Sequence, residues 1–99
     1  MAHIGVELRD SPWGQDLARL EPPGADASPV LPDFENLDFP LLRLIDPYGT
    51  TYFNSYQMSG VLNELHRFQT PAGPVRSQLI ELAETCRRTN HSYLTFLED

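Results

Sequence analysis

Lysine is absent from this chain, cysteine occurs once, and long apolar stretches are missing. The lone cysteine, Cys86, cannot form an intrachain disulfide, and a small extracellular domain would usually need several, so a cytoplasmic location is predicted. The longest apolar stretch, residues 40–45, is interrupted by Arg43, and the first ten residues lack a basic start followed by an apolar block. We therefore expect neither a membrane span nor a secretory signal.

The charge balance is acidic. Fourteen acidic residues oppose seven basic ones, all of them arginine, which gives a formal net charge of −7 at pH 7. Such a chain repels phosphate backbones and anionic lipids, so nucleic acids and membranes are poor partners, whereas a basic protein surface is a good one. The length of 99 residues, with 40% hydrophobic and 21% charged residues, is typical of one folded domain.

Hydrophobic periodicity predicts an α+β fold: a small antiparallel sheet of about four strands with two helices packed on one face, in the order β-loop-β-β-α-α-β. Apolar and polar residues alternate over residues 3–9 and 92–97, which predicts the first and last strands. Residues 10–40 contain six prolines and predict a long Pro- and acid-rich loop within a single domain, 1–99.

A turn signal lies near the middle of the chain. Residues 46–49 read Asp-Pro-Tyr-Gly, the preferences of a type I turn, and apolar segments flank them on both sides. We therefore predict a β-hairpin over residues 41–53. Amphipathic stripes predict helices over about 54–68, capped by Asn54 or Ser55 and with Gly60 on its outer side, and over 74–89, with Pro74 at its first position.

Patterns that carry catalytic or cofactor chemistry are missing. Three histidines, His3, His66 and His91, lie on different predicted elements without ligand spacing, so no metal site is predicted, and His66 is interpreted as a partly buried structural residue. Cys86 falls within the apolar stripe of the second helix, where burial suppresses the thiolate, and is interpreted as core. The glycines are dispersed, so no phosphate-binding or dinucleotide-binding loop is predicted and no cofactor is expected.

The acids are concentrated in the first half of the chain. Residues 10–46 hold eight acids and two arginines, a net −6 of the total −7, and residues 21–40 hold five acids and no base. The region is either a solvated loop pinned by its apolar residues or a docking surface in which apolar anchors are ringed by negative charge. Trp13, between proline and glycine, either plugs the edge of the core or projects as an anchor. Under the docking hypothesis the residues that bind the partner are Asp33, Glu35, Asp38, Asp46, Tyr48, Tyr52 and Trp13.

Residues 42–57, LRLIDPYGTTYFNSYQ, together with the amphipathic helix after them, resemble a group of small uncharacterised bacterial proteins. That group shares an arginine-bearing strand, an Asp-Pro-Tyr-Gly turn, a strand ending in Phe-Asn and a helix that opens near Gln. The resemblance covers roughly the last 60 residues and implies no established activity. In size, acidity and lack of catalytic spacing the chain is also similar, in a general way, to immunity proteins of bacterial toxin systems.

Four functional hypotheses follow. The leading one is a non-catalytic acidic binding protein, most concretely an immunity protein that covers the active cleft of a basic bacterial toxin. The second is a small enzyme or metabolite-binding domain with a site between the hairpin and the long loop, formed by Asp46, Tyr48, Tyr52, Asn54 and His66. The third is a nucleic-acid mimic with regularly spaced carboxylates, and the last is a homodimer joined through the exposed face of the sheet.

Overall fold

The structure is a computed structural model, and it describes residues 3–11, 14–22, 24–33, 35–70 and 73–98. The described residues form four strands, β1 (Ile4–Arg9), β2 (Asp16–Arg19), β3 (Thr50–Asn54) and β4 (Tyr93–Glu98). Two α-helices, α1 (Met58–Arg67) and α2 (Pro74–Arg88), lie between β3 and β4. Short 3-10 helices cover Ser28–Val30, Leu42–Leu44 and Ser55–Gln57.

The strands form one antiparallel sheet in the order β2-β1-β4-β3, and the helices pack against it. The predicted α+β class is therefore confirmed. The alternation of the first strand is confirmed too, since Ile4, Val6 and Leu8 are buried. Phe53 of β3 and Phe96 of β4 join them in the core, with ring centroids 5.8 Å apart and ring planes close to perpendicular.

Both predicted helices are confirmed within a few residues. Asn54 caps the turn that leads into α1 through a reciprocal pair of hydrogen bonds: its side chain accepts from the backbone N–H of Gln57, and the Gln57 side chain accepts from the backbone N–H of Asn54. Pro74 is the first residue of α2, as predicted. The buried apolar helix residues come from the predicted stripes: Met58, Val61, Leu62, Leu65, Leu79, Leu82, Ala83 and Cys86. Glu64 of α1 is also buried, outside the stripe.

The predicted β-hairpin is wrong in its first arm. Leu42–Leu44 is a 3-10 helix, and β3 pairs with β4 instead. The cause is tertiary: the buried carboxylate of Glu64 on α1 accepts hydrogen bonds from the backbone N–H groups of Leu41 and Leu42, which stabilises a helical turn at this place. The element order therefore differs from the predicted one, although the fold class holds.

Strand β2 lies inside residues 10–40, the segment that was predicted to be an irregular loop. β2 pairs with β1 at the edge of the sheet, and three of its four residues are exposed. An edge strand with little buried surface has no apolar alternation, so the periodicity signal is missing. Asp26 ties the following chain to β1, because its carboxylate accepts hydrogen bonds from the N–H groups of Ile4 and Ser28, each at 2.9 Å.

Gly60 was predicted to lie on the outer side of α1, and this prediction is wrong. A Cβ atom at this position would come within 2.6 Å of the Leu41 Cδ1 atom. The glycine therefore permits close approach between α1 and the chain that carries the 3-10 helix Leu42–Leu44.

Candidate functional site

Several acidic side chains near the sheet are neutralised by the protein's own arginines. Arg9 donates from its Nε atom to Glu7, at 2.8 Å, and lies 3.2 Å from a carboxylate oxygen of Asp16, which also pairs with Arg19. The hydrogen bond with Glu7 is the main reason why the pKa of Arg9 is raised above its usual value. These two acids and two arginines form a network on the face of the sheet that is turned away from the helices, and within this network the charges balance.

Two further acids bind the backbone of their own chain. Glu64, 4% exposed, holds the N–H groups of Leu41 and Leu42. Asp26 accepts from Ile4 and from both the N–H and the hydroxyl of Ser28. Burial raises the pKa of Asp26, but these hydrogen bonds outweigh burial and lower the pKa overall. Both carboxylates serve the fold.

The acids at positions 33, 35 and 38 are different. Residues 33 and 35–38, called the acidic segment below, carry Asp33, Glu35 and Asp38, all exposed. Within the described part of the chain, no ion pair involves any of the three. The Asp33 carboxylate accepts from the N–H of Glu35, at 3.1 Å, and the Asn36 side chain accepts from the N–H of Asp38, at 3.2 Å. Three carboxylates without an ion pair among the described residues therefore lie within six residues of chain. Two turns closed by side-chain hydrogen bonds shape this stretch.

An exposed apolar side chain accompanies this charge. Leu37 is 74% exposed and lies between Glu35 and Asp38 in the sequence. An apolar side chain ringed by charges of one sign offers a partner both contact area and electrostatic steering. The sequence left open whether the apolar residues of this region pin the loop to the body or project as anchors, and Leu37 projects.

The acidic segment is attached to the end of α1. Phe39 is buried against Phe68, with ring centroids 5.2 Å apart in an edge-to-face arrangement. The guanidinium of Arg67 lies 4.9 Å from the centre of the Phe39 ring and donates a hydrogen bond of 3.0 Å to the carbonyl oxygen of Asp38. These contacts position the segment on the helical side of the molecule.

The other predicted contact residues lie elsewhere. Asp46 and Tyr48 belong to the turn before β3, where the Asp46 side chain accepts from the N–H of Tyr48 at 2.8 Å. Tyr48 is well exposed. Tyr52, 41% exposed, lies on the face of the sheet that is turned away from the helices, and Trp13 lies outside the described residues. The structure thus groups Asp33, Glu35 and Asp38, and it places Tyr52 on the other side of the sheet.

The five residues of the alternative small-molecule site line neither of two depressions formed by described residues. The Asn54 side chain is used in capping, and His66 is exposed in the last turn of α1, which corrects the expectation of partial burial. Two shallow depressions, of about 240 and 210 Å³, are lined by other residues, mainly around β1, β2 and α2.

Metal-ligating and nucleophilic groups are dispersed. Among the described residues, no three His, Cys, Asp or Glu side chains are grouped so that they could hold a metal ion. Cys86 is fully buried, as predicted for a core residue. Burial raises the pKa of its thiol, and the Ser92 hydroxyl lies 3.4 Å from the sulfur.

Comparison with protein-family models, with curated proteins and with solved structures finds no match to this chain. In the described part of the protein, neither α1 nor α2 has the length and apolar character needed to cross a bilayer.

Proposed function

We propose that the protein is a non-catalytic acidic binding protein that docks a basic protein through the acidic segment. The observation that carries this proposal is the clustering of three exposed carboxylates within six residues of chain, none of which has a cationic partner among the described residues. Glu7, Asp16 and Glu84 pair with arginines, and other exposed acids, such as Glu21, Glu81 and Glu98, are far apart in the sequence.

The partner's chemistry follows from this surface. Lysine or arginine side chains would meet Asp33, Glu35 and Asp38, and an apolar hollow would receive Leu37. Long-range attraction between opposite charges raises the association rate and is screened by salt, with a Debye length of about 8 Å at physiological ionic strength. We expect binding that is fast and weakens as salt rises.

The most concrete form of this proposal is an immunity protein that covers the basic active cleft of a bacterial toxin. The general likeness noted in the sequence analysis and the unpaired acids support it. Toxins that cleave nucleic acids need a basic cleft to hold phosphates, and an anionic surface competes for that cleft. Asp46 and Tyr48 would add contacts at a second place, since both are exposed in the turn before β3.

The test is a binding measurement with the product of the adjacent reading frame, supplied as a catalytically dead variant. The triple variant Asp33→Asn, Glu35→Gln, Asp38→Asn removes three charges and keeps an acceptor oxygen at position 33 for the turn. We expect its association rate to fall by about tenfold or more, with a weaker salt dependence than that of the wild type.

The matched control is the triple variant Glu21→Gln, Glu81→Gln, Glu98→Gln, which removes the same number of charges from exposed side chains outside the acidic segment. It should bind nearly as the wild type does. Equal affinity of both triple variants, or an effect confined to the control, would refute docking through the acidic segment.

A further inference from the structure

Strand β3 forms an edge of the sheet, because the strand order ends with it. The phase of its hydrogen bonding follows from one contact: the N–H of Glu98 donates to the carbonyl oxygen of Gly49 at 3.1 Å. In an antiparallel ladder, hydrogen-bonded pairs alternate with non-bonded pairs. The register therefore makes Thr51 and Phe53 the residues that bond to β4, while Thr50, Tyr52 and Asn54 turn their backbone groups outward.

These outward groups are largely unpaired. The N–H of Asn54 is taken by the Gln57 side chain at 2.8 Å. No hydrogen bond within the described residues reaches the backbone N–H or C=O of Thr50 or Tyr52. An array of free donors and acceptors at strand spacing is a template for another strand.

The two edges of the sheet differ in their protection. Natural edge strands are commonly guarded by short length, charged side chains or irregular register. β2 has all three: it spans four residues, carries Asp16 and Arg19, and contains a register shift opposite Leu8 and Arg9. β3 has the sequence Thr-Thr-Tyr-Phe-Asn, with no charge and no proline. Among the described residues, β3 is therefore the edge that is more open to strand addition.

We propose that β3 pairs antiparallel with β3 of a second copy of this chain, about a two-fold axis at Tyr52. This register places Tyr52 opposite Tyr52 of the second copy, so that each N–H donates to the other's C=O. Thr50 then lies opposite Asn54, and its N–H donates to the Asn54 carbonyl. The two four-stranded sheets become one continuous sheet of eight strands, and this surface is independent of the acidic segment.

The composition of β3 favours its own copy over a strand from a basic protein. A basic strand would need carboxylates along this edge, whereas pairing β3 with itself brings no like charges opposite each other within the strand and makes an aromatic cross-strand pair of Tyr52. The repulsion that remains comes from the net charge of −7 on each copy and is screened by salt. Association between two copies should therefore strengthen as salt rises, whereas binding to a basic protein should weaken.

The experiment is sedimentation of the full chain over a range of concentrations, in low and high salt. We expect a reversible shift from 11.2 kDa towards twice that mass, larger in high salt. Hydrogen exchange on the same samples should show that the amides of Thr50 and Tyr52 become protected as concentration rises. A mass that stays at the monomer value at millimolar concentration in high salt overturns the proposal, as does exchange at these amides that is independent of concentration.

Two variants locate the contact. Tyr52→Glu puts two carboxylates opposite each other across the axis, while within one chain the new carboxylate lies beside Arg9, which favours folding. Its matched control is Leu17→Glu on the guarded edge, where the native side chain is 52% exposed. We expect Tyr52→Glu to raise the dissociation constant by about tenfold or more and Leu17→Glu to leave it within about threefold.

A third variant tests the backbone contact: Thr50→Pro removes the outward N–H and should weaken association as well. Dimers disrupted by Leu17→Glu but not by Tyr52→Glu would place the contact on β2 and refute the proposal. Association that falls with salt and appears only when a basic protein is added would show a heterologous strand instead, which also refutes it.

Discussion

Replacing Glu64 by alanine tests the contact that turns residues 42–44 into a 3-10 helix. The Glu64 carboxylate is 4% exposed and accepts from the N–H of Leu42 at 2.9 Å and from the N–H of Leu41 at 3.1 Å. Alanine leaves both donors without an acceptor. The same contact prevents residues 41–45 from extending as a strand beside β3.

The magnitude follows from the number and burial of the donors. A buried donor without an acceptor costs about 1–3 kcal/mol. Leu41 is only partly buried, so water satisfies its N–H in part. The variant also avoids the free-energy cost of removing a carboxylate from water, which offsets part of the loss. We therefore expect the free energy of unfolding to fall by about 2–3 kcal/mol, in the lower half of the range for two donors.

The assay is urea denaturation followed by circular dichroism, combined with hydrogen exchange at the amides of Leu41 and Leu42. Exchange at these two amides should accelerate more than global unfolding accounts for. The control Glu81→Ala changes an exposed acid on α2 and should stay within about 0.5 kcal/mol of the wild type. A loss below about 0.5 kcal/mol for Glu64→Ala, with unchanged exchange at Leu41 and Leu42, would refute the role of this carboxylate.

Two further predictions concern the hydrogen bonds of Asp26 and the packing of Gly60. The pKa of Asp26 in the folded protein is lowered, so its contribution to stability is complete above roughly pH 5 and is lost as the pH falls through about 4 towards the lowered value. The difference in unfolding free energy between wild type and Asp26→Asn should therefore shrink on acidification, and a difference that widens below pH 4 would contradict this. Gly60→Ala would normally stabilise a helix by about 0.5–1 kcal/mol, but its Cβ would crowd the flexible end of Leu41, so we expect little net change. The double variant Gly60→Ala, Leu41→Ala should be more stable than Leu41→Ala alone by about 0.5–1 kcal/mol, and equal stability of these two would remove the packing explanation.

The elements that could be predicted are those whose burial is periodic along the chain. β1 and both helices bury one face or stripe, so the alternation at Ile4, Val6 and Leu8 and the stripe that includes Val61 and Leu65 are visible as patterns. β4 alternates in its sequence, but it lies inside the sheet and buries Leu94, Thr95 and Phe96 in succession. Asn54 and Pro74 mark helix starts because capping is a local interaction.

The predictions that failed depended on contacts between distant parts of the chain. Turn residues 46–49 suited a hairpin, but Glu64 lies 22 residues after Leu42 and settles the conformation there. β2 carries no periodic signal because its side chains are mostly exposed, and it becomes a strand through its pairing with β1. Turn residues show which local conformations are possible, and hydrogen bonds between distant parts of the chain decide which conformation forms.

For the candidate site too, some properties could be predicted from the sequence and others depend on the fold. Net charge, the lack of catalytic spacing and the concentration of acids in residues 10–46 are properties of composition and order, and they can be counted without a fold. The tertiary structure decides which acids remain available to a binding partner. Asp16 pairs with Arg9 and Arg19, Asp26 accepts hydrogen bonds from the backbone, and Asp33 has no cationic partner among the described residues. Sequence order cannot show this, because the energy of a charge depends on the groups that folding brings within a few ångströms of it.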